Sequence, residues 1–257
     1  MYKDYLFCFD VDGTLRDTTT HEVSSSTLEA LHKLTEQGYK IVISSGRGVD
    51  SLESTGIMDQ ANWSAYICNN GQIILDKDKH VLYKKTMDPD AVRKVLEIAD
   101  RLGYAVTCKA HPRFITKEPD ENVLRAQAFF GNKIPGVGEY HGQEVDAMNV
   151  FGDIGYDYHD FMGIKGITVL PGESSYSDFV IEGVSKASAI SFLQDYFKTP
   201  KSVSFGDSLN DVDMFKHCDI NIAMGQGNDY LKSLASYVTT DTNNNGIYNA
   251  CKHYKFI

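Results

Sequence analysis

Asp10-Val11-Asp12-Gly13-Thr14 closes an apolar run, Tyr5-Leu6-Phe7-Cys8-Phe9, and the reading of residues 5–14 decides the fold. An unbroken apolar run of this length that ends at a turn signal reads as a buried strand. The acids then lie two residues apart where the chain leaves the sheet, so both can turn toward a common ligand. Asp-Gly by itself is ordinary turn chemistry. The whole pattern directly behind a strand says more.

Working outward, the next segments alternate. A helix is expected around Thr27 to Gln37, with Leu28, Leu31 and Leu34 on one face and Gly38 as the stop. A strand Tyr39 to Ser44, a short helix Val49 to Ser54 and a strand Ala65 to Cys68 ending at Asn69-Asn70-Gly71 complete a βαβαβ opening. From about Lys84 the character changes. Asp88-Pro89 opens a helix that runs to Leu102 before Gly103, followed by short strand-like pieces at Tyr104 to Lys109, Arg113 to Thr116, Ala147 to Phe151 and Gly166 to Leu170, with a short helix near Asp157 to Met162. This stretch, 84–180, reads as an inserted α+β unit. Alternation then resumes with a helix Lys186 to Phe197, a strand Ser202 to Phe205, a helix Asp211 to His217, a strand Ile220 to Ala223 and a terminal helix from about Ile247. The expected fold class is therefore α/β: a Rossmann-like, doubly wound parallel sheet from 1–83 and 181–257, carrying a smaller α+β domain at 84–180.

Parallel sheets bind ligands at the carboxyl ends of their strands. Asp10/Asp12, Ser44/Ser45, Asn69/Asn70 and Asp207/Asp211 each follow a predicted strand, so the fold would bring them to one edge. A carboxylate held in line with phosphorus can act as nucleophile while a neighbouring acid protonates the departing alkoxide and later deprotonates water. Gly206-Asp207-Ser208-Leu209-Asn210-Asp211 adds further acids, and gathered carboxylates repel one another unless a cation intervenes. Oxygen-only donors and a phosphate substrate favour Mg²⁺. Asp10 and Asp207 are expected to bind it through their side chains, Asp12 through its backbone carbonyl, and Asp211 to orient a metal-bound water. Lys186 begins a helix, where a cation opposes the macrodipole and calls for an anion. Ser45 and the amides beside Gly46 can donate to phosphoryl oxygens. Arg47 and Asn70 are candidate supports, each also compatible with plain turn chemistry.

Together these residues resemble the haloacid dehalogenase-like hydrolase superfamily, specifically Cof-type phosphatases with a type IIB cap inserted after the third core strand. Asp10-Val11-Asp12-Gly13-Thr14 looks like motif one, Ser45-Gly46-Arg47 like motif two, Lys186 like motif three and Gly206 to Asp211 like motif four. The tail Val238-Thr239-Thr240 through Gly246-Ile247 is similar to the family's closing segment. Ser45 stands where threonine is common, and Ala187 follows the lysine where glycine is usual. The resemblance implies a Mg²⁺-dependent phosphatase working through an aspartyl-phosphate intermediate. It makes Asp10 the nucleophile and Asp12 the acid and base. Ser45, Gly46, Lys186 and Asn210 would bind phosphate, Asp10, Asp12 and Asp207 the metal, and Thr14, Arg47, Asn70 and Asp211 would support them. Sugar phosphates or similar metabolites are the implied substrates. A phosphomutase or phosphotransferase would use the same residues, and a non-catalytic phospho-receiver would share the acidic pocket and lysine.

Bulk properties fit a soluble enzyme. A net charge of −10 disfavours broad nucleic-acid or anionic-membrane contact. The five cysteines lack metal-ligand or Cys-x-x-Cys spacing and read as reduced, buried thiols of a cytoplasmic protein. The run that reaches Asp10 leaves no room for a signal segment, and no stretch approaches membrane-spanning length. Oligomeric state is not encoded in these features.

Overall fold

The opening run is a strand, β1 (Tyr5–Phe9), with its last four side chains buried. In the computed structural model, which describes residues 4–172 and 174–257, it is followed by α1 (Ser25–Glu36), β2 (Lys40–Ser44), α2 (Val49–Ser54), β3 (Ala65–Cys68), β4 (Ile73–Asp76) and β5 (Val81–Lys84). Next come α3 (Pro89–Leu102), β6 (Ala105–Ala110), β7 (Phe114–Ile115), α4 (Glu121–Phe130), β8 (Val145–Phe151), β9 (Ile167–Pro171) and β10 (Ser177–Ile181). The chain finishes with α5 (Lys186–Phe197), β11 (Lys201–Gly206), α6 (Val212–His217), β12 (Ile220–Ala223), α7 (Asp229–Leu234), β13 (Tyr237–Val238) and α8 (Gly246–His253). Contacts divide it into two units: the chain up to Tyr83 with Ser185–Ile257, and the inserted Lys84–Val184.

The first unit is built on a sheet ordered β13-β12-β11-β1-β2-β3-β4-β5. Along β1 the side chains alternate between two cores. Phe7 and Phe9 join Leu31, Leu34, Trp63, Phe205 and Ile247 on one face, while Leu6 and Cys8 join Val42, Ile190, Leu193 and Phe215 on the other. A strand covered on both faces has no polar side, which is why it reads as a continuous apolar run. Each such side chain stabilises the fold by about 1.5–3 kcal/mol relative to exposure. α1 starts two residues earlier than its apolar face suggests because the Ser24 hydroxyl accepts the Thr27 amide hydrogen and caps the helix.

The sheet is parallel from β13 to β3, but β4 pairs antiparallel with β3. The expected parallel sheet thus carries an antiparallel strand beside β3. Only the tight turn Asn69–Gly71 and Gln72 separate the two strands, too short for the crossover a parallel neighbour needs.

The inserted unit has its own sheet, ordered β7-β6-β8-β10-β9. α3 fits its sequence signals closely: Asp88 caps it, Pro89 occupies the first turn and Gly103 ends it in the left-handed region at φ 80°. Val92, Val95 and Ile98 of α3 pack with Val106, Cys108, Met148, Val150 and Phe179 on one sheet face. On the other face Val123 and Ala126 of α4 cover Ala105, Ile115 and Phe151. The expected boundary at residue 180 falls inside β10, whose ladders to β8 and β9 hold it in this unit as far as Val184. The helix expected near Asp157 to Met162 is a single 3-10 turn, His159–Phe161.

Candidate active site

Because β1, β2, β3 and β11 are parallel neighbours, their carboxyl ends leave the sheet at one edge. Asp10, Ser45, Asn69 and Asp207 are the residues that follow those ends. Asp10 is buried, with its amide tied to Phe205 O on β11 at 3.0 Å.

Lys186, the first residue of α5, donates from Nζ to Asp10 Oδ1 and to Asp211 Oδ1, both at 2.7 Å. All three side chains are nearly inaccessible. The turn Asn69–Gly71 helps set this position: a Cβ on Gly71, which has φ +107°, would lie 2.3 Å from Ser185 O. Only glycine lets that turn reach the residue preceding Lys186. Burial works against the Lys186 charge, but Asp10 and Asp211 outweigh it and hold the ammonium above its usual range. Burial also pushes Asp10 up to about 7; Lys186 opposes that shift, while Asp211 and Asp12 add to it.

Asp211 spends both oxygens. Oδ1 takes Lys186, and Oδ2 accepts the amides of Asp207 at 3.0 Å and Ser208 at 3.2 Å. It therefore fixes the loop after β11 and the lysine together. Asp207 is held by Thr14, whose hydroxyl donates to Oδ1 at 3.3 Å. Gly13, at φ +87°, passes so close that a Cβ there would stand 2.0 Å from Asp207 Oδ2. Asn210 accepts the Ser208 hydroxyl at 2.8 Å.

The Asp12 carboxylate is held by two arginines. Arg47 grips it with two bonds, Nε to Oδ2 at 2.6 Å and Nη2 to Oδ1 at 2.7 Å, and Arg16 Nη1 adds a third at 3.3 Å. Ser45 Oγ accepts the Arg47 amide at 3.1 Å, while Asn70 N–H donates to Ser45 O at 3.0 Å and Asn69 N–H to Arg47 O at 2.8 Å. Gly46 lies between these anchors. The β2 and β3 loops thus brace each other around Asp12.

Sequence reading missed three contributors. Arg16 stands two positions beyond Thr14, and a cation so near paired acids was a usable signal. Thr242 lies in the closing segment 238–247 without a role of its own there, and Gln226 carried no signal: Gln226 Nε2 and Thr242 Oγ1 both donate to Gly13 O, binding the distant tail to the first loop.

The model of the haloacid dehalogenase-like hydrolases matches residues 7–251. The chain belongs to that family. Among solved structures, this hydrolase is similar to the phosphatase BT1666 of Bacteroides thetaiotaomicron, at 27% identity, TM-score 0.88 and coverage of 98% of this chain and 95% of the other. It is also similar to the subclass IIB sugar phosphatase BT4131, at 28% identity and TM-score 0.87, covering 98% and 99%. The 5-amino-6-(5-phospho-D-ribitylamino)uracil phosphatase YitU of Bacillus subtilis is 25% identical over 98% of each chain. This haloacid dehalogenase-like hydrolase is a phosphoric monoester hydrolase.

The hydrolase's donors suit a divalent cation. Carboxylate oxygens of Asp10, Asp207 and Asp211 lie within 4.8 Å of one another, and oxygen-only donors suit a hard ion. A second acidic group, Asp76, Asp78 and His80, sits on the turn between β4 and β5, where Asp76 Oδ1 accepts the amides of Asp78 and His80. Turn formation accounts for it. Among the described residues, no helix is long and apolar enough to cross a membrane.

Proposed function

We propose that this enzyme hydrolyses small phosphate monoesters of hydroxylated metabolites, such as sugar phosphates, through a phosphorylated Asp10 and with Mg²⁺ as cofactor. The observation that carries the reading is the Lys186 bridge between Asp10 and Asp211, with Asp207 beside them. Mg²⁺, held by the Asp10 and Asp207 carboxylates and the Asp12 carbonyl, would supply the positive charge that lets a phosphate approach these acids.

A carboxylate oxygen of Asp10 attacks phosphorus in line, and the bond to the ester oxygen breaks. Asp12 gives its proton to the departing alkoxide, then takes one from the water that attacks the aspartyl phosphate. Cleavage of the Asp10–phosphorus bond releases inorganic phosphate and restores both acids. Lys186, the Ser45 hydroxyl, the Gly46 amide and the Asn210 amide group stabilise the phosphoryl oxygens. Thr14, Arg47, Asn70 and Asp211 support the loops that hold them. The inserted unit supplies the selectivity among esters expected of a cap. Five free, buried thiols support a cytoplasmic enzyme, and the charge of −10 supports small metabolites over nucleic acid or membrane as partners.

The decisive experiment measures phosphate release from a broad ester panel with and without Mg²⁺, beside Asp10→Asn. Metal-dependent turnover that the substitution abolishes is expected. Equal turnover in the variant overturns the proposal, and stoichiometric transfer to an added acceptor without phosphate release would make the enzyme a phosphotransferase.

A further inference from the structure

Gly13 O accepts two hydrogen bonds from side chains 213 and 229 positions along the chain. Gln226 Nε2 donates to it at 2.5 Å and Thr242 Oγ1 at 2.6 Å. The two donors are also joined to each other. Gln226 Nε2 donates to Thr242 Oγ1 at 2.8 Å, and Gln226 Oε1 accepts the Thr242 amide at 3.0 Å. Both ends of the glutamine amide are therefore engaged, and the threonine hydroxyl gives its single proton to Gly13 O. Thr242 is buried, whereas Gln226 keeps contact with solvent. Asn243, the next residue, adds a bond from Nδ2 to Asp17 Oδ2 at 2.6 Å, and Thr239 Oγ1 donates to Gly246 O at 2.7 Å. The tail segment is thus closed on itself and fastened to the loop after β1.

The oxygen they grip belongs to the peptide unit that leads into Thr14. A peptide unit is planar, so fixing its oxygen fixes the whole plane. On one side of that plane Thr14 Oγ1 donates to Asp207 Oδ1 at 3.3 Å. On the other, Gly13 passes so near the same carboxylate that a Cβ would stand 2.0 Å from Oδ2. Where this peptide sits therefore decides where the Asp207 carboxylate can lie. The loop that carries Gln226 reaches Asp207 as well, through the backbone. Asn228 N–H donates to Asp207 O at 2.7 Å, and a Cβ on Gly227 would lie 2.9 Å from that oxygen. Gln226 thus stands where the loop after β1, bearing Asp10 and Asp12, meets the loop after β11, bearing Asp207. Mg²⁺ tolerates little departure from octahedral geometry, so the separation of donors on two different loops governs how tightly it is held.

We propose that Thr242 and Gln226 are positioning residues for the divalent cation: by clamping Gly13 O they hold the loops after β1 and β11 at the separation the ion requires, and so raise its affinity. This deepens the function proposed above and rests on its metal site. The test titrates Mn²⁺, which takes the same oxygen donors as Mg²⁺, into the full chain and reads binding from the loss of the free-ion electron paramagnetic resonance signal. Turnover of p-nitrophenyl phosphate against Mg²⁺ concentration is measured in parallel. Thr242→Val keeps the side-chain volume but loses the donor, and should weaken Mn²⁺ binding roughly fivefold, the equivalent of one buried hydrogen bond. Thr242→Ser keeps the hydroxyl and should bind near the wild-type level. Gln226→Leu should weaken binding by roughly twofold, since its bonds are open to water, and its exposed position lets it carry the test if Thr242→Val does not fold. At saturating Mg²⁺ each variant should recover turnover toward wild type, because neither residue touches the ester. Wild-type affinity in both Thr242→Val and Gln226→Leu, even with a lowered thermal midpoint, or an equal loss in Thr242→Ser, overturns the clamp alone. A wild type that binds no Mn²⁺ overturns the metal site and the clamp with it.

Discussion

Lys186 Nζ sits 2.7 Å from Asp10 Oδ1, although 176 positions separate the two residues in sequence. Neither is comfortable buried alone. The ammonium keeps Asp10 partly in its charged, nucleophilic form against the desolvation that pushes its carboxyl up to about 7.

Asp10→Asn removes the attacking oxygen while nearly preserving shape. Phosphate release should fall below detection in Mg²⁺-containing buffer. Circular dichroism and the thermal midpoint should show a folded protein, because the substitution removes a charge that burial disfavours.

The same residue sets a pH dependence. Its folded pKa of about 7 exceeds the ordinary 3.8, so its contribution to stability is complete below about 4 and is lost as pH rises through about 7. A cation bound there competes with the proton. Thermal scans should show that Mg²⁺ raises the midpoint more at pH 8 than at pH 5.5; an equal increment at both would place the ion elsewhere.

Lys186→Met leaves Asp10 and Asp211 buried without their shared counter-charge. A destabilisation of about 3–5 kcal/mol at neutral pH is expected from breaking a buried ion pair on one side. Urea denaturation measures it. The loss should shrink toward pH 5, where Asp10 protonates.

Arg47 and Arg16 hold Asp12 unequally, the first through two bonds of 2.6 and 2.7 Å and the second through one of 3.3 Å. Lysine cannot reproduce the fork. Arg47→Lys should lower kcat by roughly tenfold or more and Arg16→Lys by about threefold, since charge-assisted paired bonds are the stronger. Steady-state kinetics with a single ester would show the order, and a reversed order would refute this account of Asp12.

Gly13→Ala meets both a positive φ and the Asp207 carboxylate. The backbone strain alone costs about 1–3 kcal/mol. Displacement of Asp207 should also raise the Mg²⁺ concentration needed for half-maximal turnover, which a metal titration reads directly.

The apolar runs and their periods made β1, β2, β3, β12, α3 and α5 legible, because strands buried on both faces and helices with clear caps leave local signatures. α4 was missed although Asp120 caps it and Gly131 stops it: only Val123 and Ala126 are fully buried, too few to give a marked periodic face. β10 was missed because its Ser177 and Asp178 dilute the apolar signal, and those residues matter through partners on β8 that are distant in sequence. β5, an exposed edge strand, carries no strong pattern at all.

By itself, the sequence determined the alternation of strands and helices, the acids waiting at strand ends, and hence the expected edge of the sheet, since each follows from local hydrophobic period and turn chemistry. Only the tertiary structure decided how those acids are used. Asp211 is bound to Lys186 and two amides, Asp12 is gripped by Arg47 and Arg16, and Gln226 and Thr242 fasten the Gly13 carbonyl. Hydrogen-bond partners are chosen by three-dimensional distance and burial, and no spacing along the chain records either.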